Sequence, residues 1–333
     1  MCLFLKSFRI FDSKIGERNM KNKKSDKCTV LVCSCDDYED LWLPFFSLFN
    51  IYWHDCPYEV VLNTESKNYY HDGLDIVCYN LYKEGDCISY GERMIDHLKR
   101  IKTRYVFVTV DDYFIQRDVN NEEIERVIDW MERDSSIACF QFAPTRDRFN
   151  TIDERFPDYE LRPRYGEYKY ALQAGIWRTD AFLKTWRKGI SPWDWEIWGN
   201  YRSMNDGLKY YSIRENVEPP IYYGFDYDKG GAMIVRRGKW IHGDYERILE
   251  NHSISVDYEK RGWYSNEIMP GQNDPFFKKE RTRIMSTGLC IYLRIFAWRI
   301  IKYIKMKMHK KVNKTYMDYK RKEEKVIMDN GMF

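Results

Sequence analysis

Two adjacent carboxylates, Asp111 and Asp112, close the apolar run RYVFVTV at 104–110. At the end of a buried strand such a pair repels itself unless a cation or hydrogen bonds compensate it. A divalent metal does so: hard carboxylate oxygens suit Mg2+ or Mn2+, and magnesium takes one or two protein carboxylates together with substrate phosphate oxygens. The plain alternative is a solvated turn. A third ligand is on offer in GKWIHGDY at 238–245, where His242 follows a strand-like segment, whereas His54 and His97 stand in helix-like contexts and His252 opens a polar stretch.

A second concentration of chemistry lies at 170–203, which holds five tryptophans together with Gln173, Asp194 and Glu196. An aromatic shelf with a few polar groups suits sugar rings, whose apolar faces stack while their hydroxyls seek partners. An aromatic core beneath a loop explains the same composition. A carboxylate set between tryptophans, as in Trp193-Asp194-Trp195-Glu196, loses hydration, and its pKa rises toward that of a useful general base.

These residues need elements to position them. CTVLVCSC at 28–35, YEVVLNTE at 58–65, LDIVCYN at 74–80, RYVFVTV at 104–110 and IACFQF at 137–142 read as strands. Helical patterns follow the first of them, span 89–101, and span 121–134, where Asn120 or Asn121 caps and acids fill the first turn. Alternation of this kind predicts an α/β domain with a Rossmann-type, mostly parallel sheet flanked by helices, whose ligands bind at the carboxyl ends of the strands. Asp36, Asn63 and Asp111 then share one rim. Residues 143–170, rich in Arg, Asp, Tyr and Pro without periodicity, read as a long loop over it.

Composition agrees with a packed globular protein: 333 residues, 44% hydrophobic, 32% charged and 17% aromatic, with a net charge of only +3. That balance is unevenly spread. Residues 281–326 carry fourteen Lys and Arg against three Asp and Glu, so the body is acidic and the tail basic. The acidic body argues against nucleic acid as a partner. Nine cysteines without regular spacing suggest buried thiols in a reducing compartment, with Cys33 and Cys35 on one strand face. The opening MCLFLKSFRIF lacks the order of a secretion signal.

VLVCSCDDYEDLWLPFF, the RMIDHLKRI helix before VFVTVDDYF, QAGIWR, SPWDWE and RRGKW occur in that order over about 28–245. In this order they resemble the bacterial nucleotide-sugar-dependent glycosyltransferases of the GT-A fold that build capsule and lipopolysaccharide. The resemblance implies a hexosyltransferase-type enzyme with a nucleotide-diphosphate sugar as donor. It further implies a Mn2+ or Mg2+ site at Asp112, assisted by Asp111, that neutralises the leaving diphosphate. Asp37 and Asn63 would face base and ribose, and Arg93 the donor phosphates. Gln173 and Trp177 would line the sugar pocket. Glu196, with Asp194 as rival, matches the base of inverting members. The family's Asp-x-Asp pattern reads Val110-Asp111-Asp112 here, so its first acid, a ribose contact, is missing.

The resemblance and the charge pattern together divide the chain into a flexible arm at 1–27, a catalytic domain at 28–280 and a basic helical tail at 281–333. The catalytic domain comprises a nucleotide-sugar half at 28–142 and an acceptor half at 143–280. Within the tail, Arg294, Arg299, Lys302 and Lys305 fall within roughly 140° of one helical face, too many charges for a membrane span but fitting an amphipathic helix. Such a helix at 289–311 binds an anionic membrane surface, or docks on protein. The expected setting is cytoplasmic, peripheral on the inner membrane face, with a glycan or lipid-linked glycan as acceptor. A non-catalytic carbohydrate-binding or scaffold protein is the second reading, and a metal-dependent phosphoester hydrolase the third.

Overall fold

The computed structural model describes residues 24–145, 147, 149–164, 166, 168–225, 233–265, 276–293 and 296–297. Most of the expected arm, and Arg294, Arg299, Lys302 and Lys305 of the expected tail helix, lie outside them. The chain forms two compact units, Met1–Asn273 and Asp274–Phe333.

In the first unit the apolar runs become strands where they were expected. β1 (Ser25–Cys33) leads through a short 3-10 turn into α1 (Glu39–Tyr52); β2 (Tyr58–Thr64) and β3 (Ile76–Asn80) follow, then α2 (Tyr90–Leu98), β4 (Tyr105–Val110), α3 (Asn121–Arg133) and β5 (Ile137–Gln141). Residues 143–170 are not loop throughout: they contain the short strands β6 (Thr151–Ile152) and β7 (Tyr159–Leu161). β8 (Gly175–Arg178), α4 (Thr179–Thr185), α5 (Pro192–Ile197) and β9 (Lys209–Ile213) come next, followed by the ribbon of β10 (Val235–Arg236) with β11 (Lys239–Trp240), and by α6 (Tyr245–Asn251). The second unit contains α7 (Phe276–Thr287). No helix among the described residues is long and apolar enough to cross a membrane.

Nine strands form one sheet in the order β3-β2-β1-β4-β8-β5-β9-β7-β6. β1 pairs in parallel with both β2 and β4, and β5 pairs in parallel with β9. β8 runs antiparallel between β4 and β5. Strand order reverses between β1 and β4, and the carboxyl ends of two such strands are where open α/β sheets bind their ligands.

Alternation along the strands feeds two cores. Val30, Val32, Leu62 and Phe107 pack with Phe45, Phe49 and Trp53 of the α1 region and with Ile124 and Ile128 of α3. Leu31, Val61, Val106 and Val108 face the other way, against Met94 and Leu98 of α2, Phe182 of α4 and Trp195 of α5. Burying each of these large side chains stabilises the fold by roughly 1.5–3 kcal/mol. Ser89 and Glu92 form a reciprocal capping box at the start of α2, and Asn120 accepts the Glu123 amide at the start of α3.

Candidate active site at the β1–β4 crevice

Asp111 and Asp112 leave the end of β4 in different surroundings. Asp111 is 3% exposed. Its amide donates to the Cys33 carbonyl at 3.3 Å, and its carboxylate accepts from the Ser34 hydroxyl, which itself accepts from the Trp42 indole N–H at 2.6 Å. Burial and the charge of Asp112 push Asp111 well above the usual carboxylate range, against the opposing effect of Ser34. Asp112 is only partly covered, yet loss of hydration pushes it up to about 7. One acid is thus built into the junction of β1, α1 and β4, and the other is presented at its mouth.

Glu196 comes to this place from the opposite core. α5 begins with Ser191 as cap, Pro192 in its first turn and a reciprocal box between Ser191 and Asp194. Trp195 anchors the helix, wholly buried and stacked on Trp186 at 4.4 Å and on Tyr170 at 5.4 Å. Its neighbour Glu196 accepts the Leu172 amide through Oε1 at 2.9 Å. Burial raises Glu196 to about 7, with Asp112 adding to the effect. Asp112 and Glu196 are therefore near enough for the charge of one to act on the other.

Gln173 stands just before β8, whose pairing of Gly175 with Val108, continued outward, sets it beside Val110 and the acid pair. Its amide donates to Tyr113 Oη at 2.8 Å and its carbonyl accepts from Tyr223 Oη at 2.9 Å, while the two phenol rings stack at 4.7 Å. Gln173 thus ties together two buried aromatic side chains beside the acid pair.

On the β1 side, Asp36 rather than Asp37 makes the bonds. Its carboxylate accepts from the amides of Glu65, Ser66 and Lys67 and from the Ser66 hydroxyl; these bonds outweigh burial and lower its pKa, tying the end of β1 to the end of β2. Asp37 is exposed, and its carbonyl accepts from Arg261 Nη2 at 2.9 Å. Arg261 is held by both oxygens of Asp40, at 2.6 and 2.7 Å, and lies over the Tyr38 ring at 4.3 Å. Its charge lowers the pKa of both Asp111 and Asp112 without pairing with either.

Several sequence expectations are corrected. Asn63 is wholly buried, bonded to the Met94 sulfur at 3.0 Å, because strand alternation turns it under α2 instead of toward the rim. Arg93 is 2% exposed and paired with Glu65 at 2.5 Å, so it acts on the rim only through that carboxylate. Trp177 is a core residue between Tyr170, Phe182 and Trp195 and offers no surface to a sugar. Asp194 is engaged in the α5 cap. Trp177, Trp186 and Trp195 are all buried, so the tryptophan run is mostly core; Trp193 is the exposed member, at 71%. His242 stacks on Trp263 at 3.7 Å and bonds Glu246 at 3.2 Å. No cluster of three His, Cys, Asp or Glu suited to a metal occurs among the described residues, so His242 does not complete one with the two acids.

The remaining donor set still fits a hard divalent cation. Two neighbouring carboxylates have raised pKa values, no ion pair among the described residues reaches either, and magnesium accepts one or two carboxylates when phosphate and water complete its shell. Cys33 and Cys35, by contrast, are free thiols that burial raises to about 12, far from the range of a reactive nucleophile. Ser34, Tyr38, Tyr113, Tyr223 and Arg261 were not singled out from the sequence. Of these only Ser34 and Tyr113 carried a signal, by standing directly beside the strand ends.

No family model matches the chain, and no curated protein matches it. Among solved structures it is similar to S. aureus TarS 1-349, at 13% identity and TM-score 0.35, over 56% of this chain and 60% of that one. It is similar also to the mannosyltransferase PcManGT from Pyrobaculum calidifontis in complex with GDP-Man and Mn2+, at 12% identity and TM-score 0.35, over 62% and 61% of the two chains. A third is a Drosophila β1,4-galactosyltransferase 7 mutant in complex with manganese, UDP-Gal and xylobiose, at 12% identity and TM-score 0.31, over 70% and 81%. The chain spans about three fifths of the first two.

Proposed function

We propose that this protein is a metal-dependent glycosyltransferase that moves a sugar from a nucleotide-diphosphate donor to a hydroxyl of a growing surface glycan, with inversion and with Glu196 as general base. The observation that carries this reading is that Asp112, at the strand-order reversal, acts by its charge on Glu196 of α5, both carboxylates being raised to about 7 by burial. One carboxylate suits a cation and the other a proton.

A divalent cation at Asp112, steadied by Asp111, would neutralise charge developing on the leaving diphosphate. Asp111, fixed by Ser34 and Trp42, keeps the end of β4 in place. Arg261 adds fixed positive charge beside the same corner, and Asp37 stands exposed where base and ribose would lie. The acceptor hydroxyl attacks the anomeric carbon while its proton passes to Glu196. The bond from that carbon to the diphosphate oxygen breaks, and its electron pair leaves with the nucleoside diphosphate. Gln173, partly covered and locked between the buried Tyr113 and Tyr223, would line the sugar pocket.

We take the acceptor to be a glycan or lipid-linked glycan of the capsule or lipopolysaccharide kind, reached from the inner membrane face by a peripheral contact through 289–311. The non-catalytic carbohydrate-binding reading loses its main support, since three of its five tryptophans are core. The test is to incubate the full-length protein with Mn2+ and UDP, GDP and CMP forms of several sugars and to measure nucleotide release. Release with one donor, abolished by chelation, is expected; no release with any donor overturns the proposal.

A further inference from the structure

RRGKW, at 236–240, folds into the ribbon of β10 and β11. Its strands pair Val235 with Trp240 and Arg236 with Lys239 around a two-residue turn of Arg237 and Gly238. Alternation buries the first pair and exposes the second. Val235 and Trp240 belong to the core, where Trp240 meets Tyr258 edge-on at 5.3 Å. The start and the turn of the ribbon are both tied to the corner of the acid pair. The Ile234 amide donates to the Asp112 carbonyl at 3.4 Å. The Gly238 carbonyl accepts at 3.4 Å from Arg261, the guanidinium whose charge acts on Asp111 and Asp112.

Arg236, Arg237 and Lys239 stand exposed on this ribbon, and their placement works against the fold. Arg236 and Lys239 are a directly opposed cross-strand pair of like charge, which destabilises a hairpin where an opposite pair would support it. Arg237 has a φ of 53° and Gly238 one of 78°, so both central residues of the turn are left-handed, the geometry for which Asn-Gly is preferred. No ion pair among the described residues reaches any of the three cations. Arg236 lies over the Tyr264 ring at 5.2 Å. Asp40 is matched by Arg261 and Glu246 by His242, so neither serves the ribbon. The packing of the ribbon rests on Val235 and Trp240 and does not need the three charges.

We propose that the ribbon is a phosphate-binding arm fastened to the Asp112 corner, with Arg236, Arg237 and Lys239 as its donors. Directly opposed residues have Cβ atoms about 4.5–5.5 Å apart. From that spacing a guanidinium fork and an ammonium reach neighbouring oxygens of one phosphate or diphosphate, and the turn guanidinium adds a third contact. An anion held there also removes the repulsion between the paired cations. As a part of sugar transfer the arm rests on the function proposed above. Its phosphate then belongs either to the donor's diphosphate or to a lipid that carries the acceptor.

The experiment titrates the full-length protein with inorganic pyrophosphate in metal-free buffer, following the 31P line width and the melting temperature. Saturable binding is expected in the native protein and in Asp112→Asn, weakened about tenfold or more in Lys239→Glu. That variant turns the like-charged pair into an opposite one, so it should melt at or above the native temperature while losing the ligand, which a merely structural role does not give. Arg237→Asn, which suits the left-handed turn position, should behave alike. Parallel titrations with UDP and GDP, and with phosphatidylcholine vesicles containing phosphatidic acid, separate the sources. Tighter binding of a nucleotide than of pyrophosphate names the donor, tighter binding of the vesicles names a lipid phosphate, and either supports the arm where Lys239→Glu weakens it. Equal affinity in the native protein and Lys239→Glu, loss of binding in Asp112→Asn alone, or no saturable binding overturns the proposal. A protein that binds pyrophosphate through the ribbon yet releases no nucleotide from any donor keeps the arm and loses the transferase reading.

Discussion

The Leu172 amide donates to Glu196 Oε1 at 2.9 Å, leaving Oε2 without a bond among the described residues. The carboxylate is thus oriented through one oxygen and has the other for a proton. Since burial raises Glu196 to about 7, a base at this position is half protonated near neutrality and becomes competent as pH rises. Turnover at saturating donor is expected to increase with pH and level off above about 7. Glu196→Gln should lower turnover by roughly 10²–10⁴-fold, abolish that rising limb and leave donor affinity within about twofold. A glutamine variant with the native pH profile removes Glu196 as base.

Asp112 links metal, pH and stability. Its pKa is raised from 3.8 to about 7, so its protonated form favours the fold: the contribution is fully present below about 4 and lost as pH rises through about 7. In metal-free buffer Asp112→Asn should therefore melt higher than the native protein at pH 8, by ~2 °C or more, and alike at pH 4. Mn2+ should raise the melting temperature of the native protein at pH 8 and leave that of Asp112→Asn unchanged. Calorimetry at both pH values, with and without the ion, checks each sign.

Strands and the first three helices were legible because long apolar runs and capping residues announce themselves locally. The acid pair was legible for the same reason: a run such as RYVFVTV ends abruptly in charge. Glu196 was recognisable as desolvated from the tryptophans beside it, whether these form a shelf or a core. Composition counts tryptophans but does not assign faces, and Trp177, Trp186 and Trp195 turned inward. Asn63 was misplaced by one step of strand alternation, since Val61 two residues earlier already faces α2. Arg261 was illegible, because its partner Asp40 is 221 residues away in sequence and no local pattern marks such a pair.

Gly175 explains the glycine of Gln173-Ala174-Gly175. It begins β8, between β4 and β5, where a Cβ would come within 2.5 Å of the Phe140 carbonyl oxygen and 3.0 Å of Gln141 Cα. Those are backbone atoms of a paired strand and have no room to move. Gly175→Ala should cost about 1–3 kcal/mol and displace Gln173, which sets Tyr113 and Tyr223. Denaturant unfolding should show a lower midpoint with an unchanged slope, and the loss should exceed that of Gly207→Ala, where a positive φ of 74° strains the backbone but nothing lies within 4 Å.

Arg261 offers the last test of how the crevice handles charge. Its two nitrogens meet both oxygens of Asp40, and it stacks on Tyr38 while influencing Asp111 and Asp112 from beyond bonding range. A fixed cation so placed assists an incoming diphosphate more than it assists proton transfer at Glu196. Arg261→Met should raise the donor KM about tenfold while changing kcat less, and Arg261→Lys should fail to rescue it, because an ammonium cannot reproduce the two-point contact with Asp40. Asp40→Asn should reproduce part of the effect by loosening the guanidinium. If Arg261→Met instead lowers kcat at unchanged KM, the residue serves the chemical step and not donor capture.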